Sequence, residues 1–516
     1  MLQISLDNLE KIYYLNFTIK LLLLVRGQMK TLFVMPSVGA WASHGVHKAP
    51  NQLYAQLGAY LRNKNICDVK VLDARALDMS TEEMFEEVKK DKPDVVILGD
   101  MVHSYGGFAV MWYFNETARL IKKLCPKTKI IVGGLWYSGY FKETLEQNPW
   151  IDFVYIGEAE LTVEELLLAL ENNRKDLENI PGVAFRKDGQ VVLGPHRELI
   201  KDLDTLPLPA YELFPMDRYV GHTYWKPFVE IITSRGCPNA CSFCYEWSQF
   251  DPRTPKDFIT WRAKSAKRVV DELELLEKEY GVKVVVIQDD TYNVDLNRLK
   301  ETCDEILKRN LSIKWVMLGI ARDWVRQKEI IPLMKKAGMF MGLLGIEVAS
   351  DEELKKIGKK ITTSQVKETI DILRENDIAT VGTLLVGFED DDEEVIKKRC
   401  AFADEIDPDI IWIGFVTPPP GSPIWRSAVK RGWIDPGRIN LKLWDFQHPV
   451  MPTKYLSMEE IGRLAAWGIK QFFSNPKRIK RIMESNYDPL AKLCFKDQLD
   501  NFMRFEKAAT KGEILV

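Results

Sequence analysis

The chain has 516 residues, 46% of them hydrophobic and 28% charged, with a net charge of −3. This balance is that of an ordinary globular protein with room for two or three domains, and it excludes a disordered chain or a strongly basic nucleic-acid binder. Eight cysteines without the dense pattern of a small secreted domain point to a reducing compartment, hence the cytoplasm.

Residues 1–28 read as an upstream extension. Ile12 to Val25 is mostly apolar, but Asn16, Thr18 and Lys20 interrupt it. The run is too short for the roughly 20 residues of a membrane span, and no small-residue cleavage site follows it. From Met29, strands alternate with helices. Leu32–Pro36, Val69–Asp73, Asp94–Gly99, Lys129–Gly134 and Phe153–Gly157 read as buried strands. Helices are expected around Leu53, Leu57, Tyr60 and Leu61, after a cap at Ser80 or Thr81, up to Cys125, and over Thr162–Leu170. The alternation predicts a doubly wound α/β domain over residues 29–170, binding its ligand outside the carboxyl ends of the strands. Gly106-Gly107 and Gly133-Gly134 fall at those ends, where backbone passes close to a neighbour. Residues 171–228 read as a connection. It holds a hairpin at Gly182–Leu193 and a proline-punctuated linker at Asp202–Pro215.

From Val229 the alternation resumes. Strands are expected at 229–233, 282–287, 313–318, 340–346, 379–386 and 410–415, with helices between them. Six repeats predict an open (β/α)6 partial barrel over 229–425, with its carboxyl-end loops on one face. The first of those loops carries Cys237, Cys241 and Cys244, spaced C-x3-C-x2-C. Thiolates bind soft metals, and iron–sulfur clusters are usually held by four of them. A four-iron cluster held by three keeps one iron open to a ligand other than cysteine. Zinc with a fourth ligand, a disulfide with a spare thiol, and a purely structural cluster are the other readings. Cys303 and Cys400 sit on apolar helix-like runs as small hydrophobes, and Cys67, Cys125 and Cys494 have no ligand spacing. Residues 426–516 read as mainly helical, with an amphipathic helix over 456–473 behind a Ser457/Glu460 capping box. The basic run Lys477–Arg481 reads as a solvated helix face, or as a surface for an anionic substrate or peripheral membrane contact.

With Phe243 before its last cysteine, the motif resembles that of the radical S-adenosylmethionine (SAM) superfamily. The resemblance implies that Cys237, Cys241 and Cys244 hold a [4Fe–4S] cluster whose open iron is chelated by SAM. It implies too an external electron donor of flavodoxin or ferredoxin type, and cleavage of SAM to methionine and a 5′-deoxyadenosyl radical. Several strand ends match the family core. Gln288–Thr291 resembles its Asp-Asp-x-Phe turn, with Asp290 in the SAM pocket and Tyr292 near the aromatic position. Arg322 follows the third strand, where the family often has an arginine near the SAM carboxylate. Glu347 ends the fourth strand and is implied to bond the SAM ribose; the bland reading is an ion pair with Lys355 or Lys359. Gly387 resembles the glycine that meets the adenine, and Thr417–Pro423 is close to Thr-Pro-x-Pro-Gly-Thr-Pro.

Upstream, Gly133-Gly134-Leu135-Trp136-Tyr137-Ser138 and Gly157-Glu158-Ala159-Glu160-Leu161-Thr162 resemble the cobalamin-binding domain of one large radical SAM class. The resemblance implies cobalamin contacts from Gly133, Gly134, Ser138, Gly157, Glu158 and Glu160. That class usually has histidine where Trp136 stands, and the Asp-x-His-x-x-Gly motif that supplies a lower cobalt ligand elsewhere is absent. His44, His47 and His103 read as ordinary loop histidines. Cobalamin is therefore expected with its own base displaced and no histidine in its place. Over residues 30–475 the chain is similar to class B radical SAM methyltransferases and anaerobic Mg-protoporphyrin cyclases. The implied activity is methylation of an unactivated carbon of a small-molecule, lipid or peptide substrate, through the 5′-deoxyadenosyl radical and methylcobalamin. Radical cyclisation or oxidation of a tetrapyrrole or lipid is the enzyme alternative. A non-catalytic cobalamin and Fe–S sensor is the alternative of another class.

Overall fold

The computed structural model describes residues 29–37, 47–100, 107–249, 253 and 261–510, with the side chain of Asp100 and those beyond Arg504 left aside. Residues 1–28, His44, His103 and Gly106 lie outside this set. Two sheets carry the chain. The first runs in the order β2-β1-β3-β4-β5-β6-β7. Its strands are β1 (Lys30–Met35), β2 (Asp68–Asp73), β3 (Val95–Asp100), β4 (Lys129–Gly134), β5 (Phe153–Tyr155), β6 (Val183–Lys187) and β7 (Gln190–Leu193). The first five are parallel, with helices between them, as the alternation predicts. The strand order reverses between β1 and β3, so the ligand crevice of a doubly wound sheet opens there. The hairpin β6–β7, expected in the connection, instead extends this sheet antiparallel to β5. β5 is only three residues long, and the hairpin covers the edge it would otherwise expose.

Capping follows local chemistry. Ser80, not Thr81, caps the helix Thr81–Asp91 in a reciprocal box with Glu83. Asn51 caps Gln52–Asn63. The linker is packed down rather than loose: Tyr211 is buried and its hydroxyl donates to Glu272 at 2.7 Å.

The second sheet is wholly parallel, in the order β15-β14-β13-β12-β11-β8. Its strands are β8 (Phe228–Ile231), β11 (Val284–Ile287), β12 (Lys314–Gly319), β13 (Met339–Glu347), β14 (Ala379–Val386) and β15 (Ile410–Phe415). β8 and β15 are the two ends of this order, which makes the expected open six-stranded barrel. Between β8 and β11, β9 (Ser234–Arg235) and β10 (Arg262–Ala263) form a small antiparallel clip. β8 stops at Ile231, short of the expected 233, because Thr233 and Ser234 turn away to bond Asp289.

The helix Pro423–Lys430 follows the last strand, and after it come the helices Met458–Phe473, Pro476–Glu484 and Pro489–Thr510. They correct the reading of the basic run as a solvated face. Arg478 is buried and pairs with Asp407 at 2.6 Å and Asp404 at 3.0 Å. Arg481 reaches Asp409 at 2.5 Å, and only Lys477 and Lys480 of the run are exposed. No helix among the described residues is long and apolar enough to cross a membrane.

Candidate functional site

The cysteine loop leaves β8 under tight control. The buried carboxylate of Asp289, just past β11, accepts from Thr233 N–H (2.5 Å) and Oγ1 (2.6 Å) and from Ser234 N–H (3.0 Å) and Oγ (2.6 Å). Gly236 then turns with φ +84°, a conformation that favours glycine. Within the loop, Cys244 N–H donates to the Cys241 carbonyl at 3.1 Å. Barrel loops sew it down: Ser242 N–H bonds Ile357 C=O at 2.8 Å and Ile424 N–H bonds Ser242 C=O at 3.2 Å, while Trp247 Nε1–H, on the turn of helix after the cysteines, bonds Cys241 C=O at 2.8 Å. Gly358 must be glycine twice over. Its φ is +77°, and a Cβ there would stand 3.0 Å from the Ala240 carbonyl oxygen.

All three thiols are free, and Cys237 and Cys241 add to the electrostatic surroundings of Cys244. Burial pushes Cys237 up to about 12, with Glu246 and Asp290 adding to the effect. Burial raises Cys244 well above its ordinary value, and raises Cys241 against the opposing pull of Lys359. Water-poor thiols among carboxylates are protonated until a soft cation supplies positive charge. No three His, Cys, Asp or Glu side chains among the described residues gather as they would around a single ion, so the zinc reading gains no support. A four-iron cluster makes no such demand, since each thiolate holds a different iron. The soft donor set therefore fits a cluster.

The expected SAM residues gather around this loop. Phe243 meets Phe388 edge-on, with ring centroids 5.7 Å apart. Asp290 accepts from the hydroxyl of Tyr245, the residue after Cys244. Arg322 pairs with Asp323 at 2.9 Å and lies within electrostatic reach of Cys237. Glu347 sits at a register shift in β13 with φ +63°. Its carboxylate takes Lys359 Nζ at 2.5 Å and Thr383 Oγ1 at 3.5 Å, so the ion pair weighed for Lys359 is formed. Burial pulls the Lys359 ammonium down, but Glu347 and Cys241 outweigh it and raise the group. Gly387 has φ +94°, and its N–H donates to Asp391 Oδ2 at 2.9 Å. Arg399 locks Asp391 in turn at 2.5 Å. Tyr292, by contrast, is a packing residue, buried against Arg298 and Trp315. Sequence reasoning missed Asp289, Tyr245 and the Asp391–Arg399 pair. The doubled acid Asp289-Asp290 was the available signal: one carboxylate holds the loop and the other faces Tyr245.

The expected cobalamin residues stand at the carboxyl ends of the first sheet. A Cβ on Gly133 would lie 2.1 Å from the Tyr155 ring, so its close neighbour is that ring. Gly134 has φ +104°. Ser138 is buried and joins the two motifs: its Oγ donates to Gly134 C=O at 3.0 Å and accepts from Gly157 N–H at 2.9 Å. Trp136 is a packing residue, fully buried among Phe108, Tyr140, Trp425 and Trp444. Glu158 and Glu160 turn to the barrel and pair with Arg235. His47 is held between Glu230 Oε1 (3.1 Å) and the His222 N–H (3.3 Å), which its Nδ1 accepts.

These carboxyl ends face those of the barrel. Ser248, after the cysteines, donates to Pro420 C=O at 2.6 Å, and a Cβ on Gly139 would lie 2.9 Å from that same oxygen. Tyr140 donates to Pro436 C=O. Ligands on the two faces would therefore be neighbours.

Comparison with known proteins agrees with this arrangement. Residues 231–399 match the Radical SAM superfamily and residues 50–167 the B12 binding domain. A relative from Pyrococcus horikoshii, the uncharacterized methyltransferase PH0819, is 30% identical over 459 residues, 88% of this chain and 95% of its own. The chain belongs to the cobalamin-binding radical SAM enzymes. Its cofactors are accordingly a [4Fe–4S] cluster, SAM and cobalamin. The anaerobic magnesium-protoporphyrin IX monomethyl ester cyclase of Rubrivivax gelatinosus is 26% identical over 87% of this chain and 78% of its own. Among solved structures, the radical SAM methyltransferase TsrM from Kitasatospora setae shares the fold, with TM-score 0.68 and 16% identity over 93% of this chain and 99% of that one. The relatives thus include both a methyltransferase and a cyclase.

Proposed function

We propose that the enzyme methylates an unactivated carbon. The observation that carries this reading is the apposition of the two carboxyl-end faces. When bound, the cluster and SAM supply a hydrogen-abstracting radical, and cobalamin supplies a methyl group. Cys237, Cys241 and Cys244 hold the cluster. Phe243, Asp290, Arg322, Glu347 and Gly387 form the SAM cradle around it, the Glu347 carboxylate accepting from the ribose hydroxyls. Gly133, Gly134, Ser138 and Gly157 shape the cobalamin face, while Glu158 and Glu160 tie that face to the cluster loop.

Leu343 and Thr383 share one face of the regular ladder, and Thr383 Oγ1 lies 3.5 Å from the Glu347 carboxylate. Leu318, Leu343, Leu385 and Trp412 are half-buried on the barrel strands, an apolar lining suited to a substrate that offers a C–H bond. Such a wall excludes water from a reactive intermediate. An electron donor of flavodoxin or ferredoxin type and a cytoplasmic setting complete the reading.

A methylase of this kind uses SAM twice, once as methyl source and once as radical source. With the right substrate, anaerobically reconstituted enzyme should yield S-adenosylhomocysteine and 5′-deoxyadenosine in equal amounts alongside one methylated product. The likeness to the magnesium-protoporphyrin cyclase supports a second reading, ring closure or oxidation with the same cofactors. Substrate-dependent 5′-deoxyadenosine without S-adenosylhomocysteine would select it.

A further inference from the structure

The segment that enters the cluster loop is held from two sides. From the barrel, Asp289 grips Thr233 and Ser234. From the first α/β unit, two glutamates grip Arg235. Glu160 Oε1 lies 2.5 Å from Arg235 Nη2 and its Oε2 lies 3.3 Å from Nη1, while Glu158 Oε1 lies 3.3 Å from Nη1. Arg262 pairs with Arg235 across the β9–β10 ladder and brings a second guanidinium to Glu158 at 2.8 Å. Two cations thus face two anions, each side chain a tenth exposed or less. A planar guanidinium on a carboxylate fixes orientation as well as distance, which a lysine does not. Only Gly236 separates Arg235 from Cys237.

The other end of this clamp is the turn after β5. Gly157 opens it with φ +76° and gives its N–H to Ser138, which bonds Gly134. A continuous line of contacts therefore runs from Gly134 through Ser138, Gly157, the two glutamates and Arg235 to a cluster cysteine. It starts on the face proposed above for cobalamin.

We infer that Arg235 is a positioning residue through which the cluster senses whether the cobalamin face is occupied. The inference rests on the cluster and cobalamin sites just proposed. No electron or proton crosses the clamp; what passes is geometry. A ligand that resettles the turn at 157–160 moves Arg235, and with it the Cys237 sulfur and its hydrogen-bond surroundings. Those surroundings set a cluster's reduction potential. By linkage, the cluster must influence cobalamin affinity by the same factor.

The test compares cluster-loaded protein with and without hydroxocobalamin, by redox titration followed with paramagnetic resonance. Wild type should show a cobalamin-dependent shift in midpoint potential and in the resonance line shape. Arg235→Lys keeps the charge but loses the two-pronged grip, and Glu160→Gln keeps the shape but loses the charge. Each variant, carrying about four irons and bound cobalamin, should lose the shift. A wild type that holds both cofactors and shows no shift, or an Arg235→Lys protein that shows the full one, overturns the coupling and leaves the proposed sites standing. The sites themselves fall if a Cys237→Ala, Cys241→Ala, Cys244→Ala protein keeps its iron, or if wild type binds no cobalamin by absorbance, and the coupling falls with them.

Discussion

At the scale of single residues, the site is organised by groups that carry charge without exposing it. Asp289 accepts four hydrogen bonds from two consecutive residues and is 1% exposed. Burial alone raises its carboxyl, and Arg298 and the Ser234 and Thr233 donors oppose that. Asp289→Ala leaves those buried donors without their acceptor, at about 1–3 kcal/mol for each left unsatisfied. Chemical denaturation should show a loss of at least about 3 kcal/mol, and iron retained after desalting should fall with it. Normal iron loading and normal stability would remove Asp289 from its place as the loop's anchor. Glu347 and Lys359 follow the same logic. Each neutralises the other in a pocket that water reaches poorly, with side chains 9% and 13% exposed. The lysine holds the acid in place.

At the scale of elements, close approaches decide where side chains are forbidden. β4 and β5 run side by side, and the Tyr155 ring lies across Gly133. Gly133→Ala forces a methyl into that ring, and overpacking of this kind costs typically 1–3 kcal/mol. The unfolding free energy should fall by about 2 kcal/mol or more. Gly133→Ala combined with Tyr155→Ala should recover part of the penalty added by the first change, which a double-mutant cycle measures directly. The turn at 445–448 offers a pH-dependent counterpart. Asp445 accepts from the His448 backbone and from its Nδ1–H at 2.8 Å. That bond holds the imidazolium above 6.5, against a smaller opposing effect of burial. A histidine raised on folding adds stability that is full below pH 6.5 and fades as pH rises through its folded value. With a side chain 55% exposed, the contribution is screened to well under ~1 kcal/mol. An NMR titration should place His448 above 6.5, and Asp445→Asn should return it to the unperturbed value. No difference between the two proteins would sink the assignment.

At the scale of the whole molecule, the first α/β unit is fastened to the later chain by aromatic packing as well as by the Arg235 clamp. Trp136, from the first unit, lies 6.0 Å from Trp425 and 6.2 Å from Trp444, ring to ring. Trp425 is on the helix that follows the Thr417–Pro423 turn, and Trp444 donates its indole N–H to Pro418 C=O at 3.2 Å. Where the family usually presents histidine, this protein therefore has a wedge between its two ligand faces. Trp136→Ala should cost about 3–5 kcal/mol and should expose the boundary between the units to limited proteolysis. A variant as stable and as resistant as wild type would mean that the indole does not fasten the faces together.

The sequence by itself determined the two sheets, because strand and helix periodicities are local and the apolar runs are long enough to read. It also identified the three thiols, whose spacing within one loop is a local property, and the strand-end residues that share a neighbourhood with them. Partners could not be read this way, because contacts between separate elements of the chain leave no periodic trace. Glu158 and Glu160 carried a motif, but only the tertiary structure turned them onto Arg235. The basic run 477–481 looked solvated until Asp404, Asp407 and Asp409 of a distant helix end came beneath it. Sequence listed two ways for Glu347 to be satisfied, and folding brought Lys359 to it. In each case the deciding quantity was the desolvation of a charge, which depends on what the rest of the chain packs around it.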